Sequence, residues 1–330
     1  VVREGAAMYW DSPKIWRRPK RHSKATDSKW FITSSPMKPP KSLNSFLISL
    51  FGLFAVVRGY NIALLIAAQY LSSLYILVPH RSFWSVMLDP HLFALVLATA
   101  FSTAAGFIIN NFYDAERDRI NHPQKYLLEH LISLRTQLLL YFLLNAAALV
   151  AAGFVSFKAL LFFGFFILAI WGYSSSLKRL FWISNIIASA LVVFPFFAIT
   201  LYFKNFQWLI VDHALYLYFV ILIRDIVKDL VNYKGDWVTS FQTLPIVFGH
   251  KTTKIILSIL ILLTYLPIYR LIDSGLGLMV YYYYWSVVFL VIVGIFLWWG
   301  STQKTYLWLH NLLKAPSFWG YWESILCTNK

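Results

Sequence analysis

The stretch GFIINNFYDAERDRINHP, Gly106 to Pro123, closes an apolar run over residues 91–111 with two asparagines and then crowds acids and bases together. The run is long enough to cross a bilayer, which takes about 20 mostly apolar residues. Asn110, Asp114 and Asp118 then follow one another at every fourth position. On a helix that spacing sets all three on one face, each step about 6 Å along the axis. A membrane-grade segment therefore ends in an oxygen-rich stripe.

The composition agrees with a membrane setting. Of 330 residues, 59% are hydrophobic and only 13% are charged, too few to cover a globular surface. Mean hydropathy is +0.62. A polytopic membrane protein follows. The single cysteine, Cys327, excludes a disulfide framework and a cysteine-ligated zinc site. Residues 1–41 are rich in Lys, Arg, Pro and Ser without apolar periodicity and read as a basic, disordered tail. That tail does not have the form of a cleavable signal peptide. Met37 stands just before the first apolar stretch, and translation is expected to start near it. The transmembrane domain is expected over 42–330.

Apolar runs lie near 60–79, 91–111, 137–155, 159–176, 183–203, 208–224, 253–272 and 279–299. Residues 305–326, interrupted by Pro316, are a weaker ninth candidate, and 43–57 reads as an interfacial helix. The fold class expected is all-α, a bundle of about nine transmembrane helices around a central cavity. If the tail is cytoplasmic, so are the loops around 113–136, 177–182, 225–252 and 300–304, and these carry most of the Lys and Arg. The net charge of +15 then reflects topology and attraction to anionic lipid, not nucleic-acid binding. A bacterial inner membrane with the N-terminus inside is the expected location.

A second acidic cluster follows the sixth run. Within RDIVKDLVNYKGD, Arg224 to Asp236, the residues Asp225, Asp229, Asn232 and Asp236 fall on one helical stripe, with Gly235 the residue most able to break it. Either cluster alone reads equally well as solvated loop charge. Two in register, at the same end of their spans and each with an amide among carboxylates, favour a functional site, because ionisable groups at membrane depth are costly. Gathering carboxylates without a cation costs more still. Hard oxygen ligands suit Mg2+, which bridges a few carboxylates to phosphate oxygens. The eight histidines do not cluster with these acids, as zinc would want.

Basic residues stand nearby. YSSSLKR, Tyr173 to Arg179, ends the fourth run with Lys178 and Arg179, and Arg58 with Asn61 opens the first. Taken singly, each fits positive-inside placement, although Arg58 sits within apolar sequence and wants an anionic partner. Acids for metal, bases for phosphate and an apolar cavity together describe a diphosphate on a lipid tail.

These residues resemble the UbiA superfamily of intramembrane prenyltransferases. Asn110, Asp114 and Asp118, continued by DRINHP, match its first aspartate-rich motif. Asn232 and Asp236, anchored by GD…TLP, match the second, with Asp225 at the acidic position seven residues upstream. RDIVKD…KGD…QTLPIVFG is similar to the branch that includes digeranylgeranylglyceryl phosphate synthases and related bacterial proteins. Asn232 stands where an aspartate is usual, Ser240 where a glycine is common, and Tyr126–Arg135 lacks a glycine-arginine pattern.

The resemblance implies Mg2+-dependent transfer of a prenyl group from a polyprenyl diphosphate to a small aromatic or glycerol-phosphate acceptor within the membrane. Asn110, Asp114, Asp225, Asn232 and Asp236 would hold the metal, with Asp229 on the same stripe. Lys178, Arg179, Arg58 and Lys228 would hold the diphosphate, with Asn61 beside Arg58. Asp118 would bind metal through water or assist acceptor deprotonation. A terpene cyclase on the same fold and a cation transporter using the carboxylates as an ion path are the alternatives. Transport sites favour broken helices at the bilayer midplane, whereas these acids lie at segment ends.

Overall fold

Helix is the only regular structure among the described residues. The computed structural model of the chain describes residues 52–313 except 79, 122, 130, 182, 207, 239–240, 275–278 and 301. The basic tail, Met37, most of the expected interfacial helix, Ser240, Pro316 and Cys327 lie outside them.

In chain order the helices are α1 (Gly59–Ser72, continued by a π turn, Ser73–Leu77), α2 (Phe83–Met87), α3 (Pro90–Asn121), α4 (Pro123–Glu129), α5 (Leu134–Val155) and α6 (Phe157–Ser175). A 3-10 turn, Leu177–Arg179, leads to α7 (Ile183–Phe203). Then come α8 (Trp208–Val238), α9 (Leu244–Asp273), α10 (Met279–Trp299) and α11 (Gln303–Leu312). Side-chain oxygens answer the N–H groups left over at helix starts. Ser133 accepts from the Thr136 amide and Ser156 from that of Ala159. Asp89 Oδ1 accepts from His91 and Leu92 at 3.0 and 3.2 Å.

Seven helices are long and apolar enough to cross a bilayer: α1 with its π turn, α3, α5, α6, α7, α9 and α10. α8 matches them in length, but its first eighteen residues already hold Asp212, Arg224 and Asp225. The count of nine spans is therefore not reached among the described residues. The weak ninth candidate shows only α11, ten residues long and too short to cross. Two expected loops begin as helix: α3 runs on to Asn121, and α8 runs through Gly235 to Val238. Backbone hydrogen bonding inside a helix outweighs the modest cost of one glycine.

α3 is the central element. Of its apolar window 72% is buried against other helices, compared with 11% for α5. Small residues let neighbours come close: Ala98 and Ala105 are fully buried, and a Cβ at Gly106 would stand 3.0 Å from Ile170 of α6. One core gathers α3, α6 and α7 around Leu92, Leu95, Phe163, Phe166 and Ile199. Another gathers α8, α9, α10 and α11 around Ile223, Leu257, Tyr283 and Leu309. The outer faces are apolar too: Phe142, Val150, Phe165, Leu168, Leu262 and Leu266 are all exposed. Water would penalise so large an apolar exterior; hydrocarbon does not. The chain is an integral, multi-pass membrane protein.

α9 is interrupted at Gly249, whose φ of 79° and ψ of 170° are not helical. A side chain there would be strained, so glycine is the residue that allows Leu244–Phe248 to turn into the long helix. Pro245 at the start of that short piece has no amide to lose.

Candidate active site

The first stripe is carried by the last turns of α3. Asn110 Nδ2 donates to Asp114 Oδ2 at 3.2 Å. Lys178, on the 3-10 turn after α6, donates to Asn110 Oδ1 at 2.7 Å and forms an ion pair with the Asp114 carboxylate. Burial pushes the Lys178 ammonium down to about 8, against the pull of Asp114. Asp114 Oδ1 is buried with no hydrogen-bond partner. Asp118, one turn on, is also buried.

The second stripe occupies the last turns of α8. Asp229, Asn232 and Asp236 are buried, Asp236 completely. Asp225 is half-buried and accepts from Arg224 at 3.3 Å. Asn185 of α7 donates to Asp229 Oδ2 at 2.8 Å, held in turn by the Ser184 hydroxyl on its Oδ1 at 2.9 Å.

Arg117 joins the two stripes. From α3 it donates through Nε to Asp236 Oδ1 at 2.6 Å and through a terminal nitrogen to Oδ2 at 2.9 Å. The same terminal nitrogen lies 3.8 Å from Asp229 Oδ1. Its guanidinium also sits 4.8 Å from the centre of the Phe241 ring. Charged, bidentate pairs of this geometry are the strong class of hydrogen bond. The two acid-bearing helix ends thus face each other across a single side chain.

The other expected residues are distributed unevenly. Arg58, in the left-handed backbone region, donates to Asn111 Oδ1 at 3.4 Å and lies 4.8 Å over the Phe107 ring. Asn111 Nδ2 donates to the Val56 carbonyl at 3.1 Å, tying that arginine's turn to α3. Asn61 is exposed on α1. Lys228 is exposed as well, yet within electrostatic reach of Asp225, Asp114, Arg117 and Arg58. The side chain of Arg179 lies outside the described residues. Three further residues of the site escape the sequence reading. Arg117 passes there for a topology charge, although its place three residues after Asp114 sets it on the same helix surface. Asn185 carries no pattern at all. Tyr173 appears only as the start of YSSSLKR, but sits within electrostatic reach of Asp114, Asp225 and Asp229.

Among the described residues no three acidic, His or Cys side chains converge as metal ligands. The carboxylates converge on cationic side chains instead. The donor set is nonetheless all oxygen, and the partnerless Asp114 Oδ1 is a buried acceptor that a hard cation would satisfy. By donor chemistry the residues fit Mg2+; Arg117 and Lys178 hold the positions its charge would serve.

The chain is similar to several named relatives. The digeranylgeranylglyceryl phosphate synthase of Sulfurisphaera tokodaii is 28% identical over 190 residues, 56% of this chain and 68% of the relative. Its counterpart in Metallosphaera sedula is 32% identical over 51% of this chain and 60% of its own length. That of Saccharolobus solfataricus is 27% identical over 52% of this chain and 64% of its own length. These matches thus span roughly two thirds of the relatives' length or less. Among solved structures, one of a digeranylgeranylglyceryl phosphate synthase shares a TM-score of 0.66 at 21% identity, covering 84% of this chain and 97% of that one. A UbiA homologue from Archaeoglobus fulgidus bound to GPP and Mg2+ gives a TM-score of 0.61 at 16% identity, covering 82% of this chain and 99% of that one. At these identities the structural matches carry the helical architecture. Residues 70–325 match the UbiA prenyltransferase family, and the chain belongs to it: a membrane-embedded prenyltransferase.

Proposed function

We propose that the enzyme transfers a prenyl group from a polyprenyl diphosphate to a hydroxyl of a glycerol-phosphate-type acceptor, with Mg2+ as cofactor. The observation that carries this reading is the meeting of the α3 and α8 carboxylates around one guanidinium at the same end of the bundle. The names of the relatives favour a glycerol-phosphate acceptor over an aromatic one. The basic loops at this end of the bundle support a cytoplasmic orientation for it.

Asn110, Asp114, Asp225, Asp229, Asn232 and Asp236 would hold Mg2+, with Asp118 acting through water. When bound, the ion supplies Lewis-acid neutralisation of the diphosphate charge. Lys178, Lys228 and Arg58 hold diphosphate oxygens and favour its departure. Apolar helix walls keep water from the allylic carbon while the bond from C1 to the diphosphate oxygen breaks. The acceptor hydroxyl oxygen bonds to that carbon, and its proton passes to Asp118. Tyr173 presents an aromatic ring beside the same carboxylates, suited to facing allylic positive charge.

The test is incubation of purified protein and Mg2+ with a ladder of prenyl diphosphates and a panel of glycerol-phosphate and phenolic acceptors, read by mass spectrometry. The expected product is an ether of a glycerol-phosphate lipid. A terpenol or hydrocarbon formed equally well without acceptor would overturn the transfer reading in favour of cyclisation.

A further inference from the structure

The bidentate grip of Arg117 on Asp236 sets a basic side chain in competition with any metal ion for the same carboxylate. Asp236 is fully buried, and both of its oxygens are engaged by Arg117, at 2.6 and 2.9 Å. The same guanidinium reaches Asp229 at 3.8 Å. On the α3 side, Lys178 engages Asn110 and Asp114 in the same manner. Two cationic side chains therefore balance the carboxylates that would otherwise repel one another in a low-dielectric setting.

We infer that Arg117 is an internal counter-cation that competes with the divalent metal for Asp236 and Asp229, so that its release from them is coupled to metal uptake. This rests on the prenyl-transfer reading for its purpose, but not for its physics. With each oxygen of Asp236 already accepting from the guanidinium, a metal there would have only the remaining lone pairs and would face the arginine's positive charge at close range. Once displaced, Arg117 remains on α3 between Asp114 and Asp118, where a diphosphate is the anion at hand. The exchange links metal loading to substrate loading: an anion that accepts the freed guanidinium makes its departure from Asp236 easier, and the metal binds more tightly as a result.

The test is Mn2+ binding by electron paramagnetic resonance on detergent-purified wild type, Arg117→Gln and Arg117→Lys, with and without geranyl diphosphate. Without diphosphate, Arg117→Gln is expected to bind Mn2+ about tenfold more tightly than wild type, the factor for one charged hydrogen-bonded pair. Arg117→Lys keeps the charge but loses the paired contact, and is expected to tighten binding by a smaller factor, about threefold. Geranyl diphosphate should tighten Mn2+ binding in wild type and have less effect in Arg117→Gln. Equal or weaker binding in both variants overturns the inference. So does tightening in Arg117→Gln alone, which assigns the effect to net charge; should the glutamine variant not stay monodisperse, the lysine variant decides the matter by itself. If the variants tighten as expected but no acceptor is prenylated, the inference stands and the transfer reading falls. Prenylation by a wild type whose variants bind Mn2+ no better has the opposite meaning.

Discussion

Arg117 and Asp236, 119 positions apart in the chain, are joined by two hydrogen bonds of 2.6 and 2.9 Å, one to each carboxylate oxygen. The pair links α3 to α8, and it lies where charge is expensive to leave unmatched.

Removing one half of that pair should therefore be felt as instability. Asp236→Ala leaves the Arg117 guanidinium with Asp229 as its acidic neighbour, at 3.8 Å. The expected cost lies toward the lower end of the about 3–5 kcal/mol seen when a buried ion pair is broken. Thermal unfolding in detergent measures it. Wild-type melting of Asp236→Ala would mean the pair contributes nothing to the fold.

Asp114 gives a different signature. Asp114→Asn preserves shape and stays next to Asn110 and Lys178 but removes the negative charge. Turnover is expected to fall at least about 100-fold, as when metal affinity is lost, while the protein stays monodisperse and loses some thermal stability because the buried Lys178 keeps no carboxylate partner there. Product formation by mass spectrometry, set against size-exclusion profiles, separates the two. A variant with full turnover would remove Asp114 from the metal site.

Chelation should separate activity from folding. EDTA is expected to abolish prenyl transfer, and added Mg2+ to restore it. The melting temperature should change little, because Arg117 and Lys178 already neutralise the acids. Small domains whose fold depends on a metal behave in the opposite way. Collapse of the protein on chelation would contradict the charge balance described above.

Gly249→Ala tests the break in α9. The position has φ 79° and nothing within 4 Å of an added Cβ, so the penalty is backbone strain alone. A loss of about 1–3 kcal/mol is expected in thermal unfolding, with Mn2+ affinity unchanged. Undiminished stability would show that the break relaxes without glycine.

Most spans were legible in the sequence because hydrocarbon imposes one simple demand, a long apolar run. α5, α6, α7 and α10 lie close to where that demand puts them. The ends of α3 and α8 were harder, since polarity there signals a loop while the structure keeps the helix going to present Asp118 and Asp236. The acids themselves were readable from their spacing. Arg117 was not, because positive-inside placement accounts for an arginine at a span's end without asking what it touches. Asn185 needs the third dimension: only the packing of α7 beside α8 brings it 2.8 Å from Asp229.

The unequal burial of α3 and α5 bears on how such a chain can diverge. Lipid tails are indifferent to which aliphatic or aromatic side chain they meet, so the outward surface of α5 is free to drift among apolar residues. α3 has no such freedom, hemmed in on nearly every side and held to alanine and glycine where neighbours press closest. Ancestral identity should then survive as a thread along the axis of the protein, inside a sheath that has been rewritten. A shared architecture at 16% identity is what such a history leaves behind.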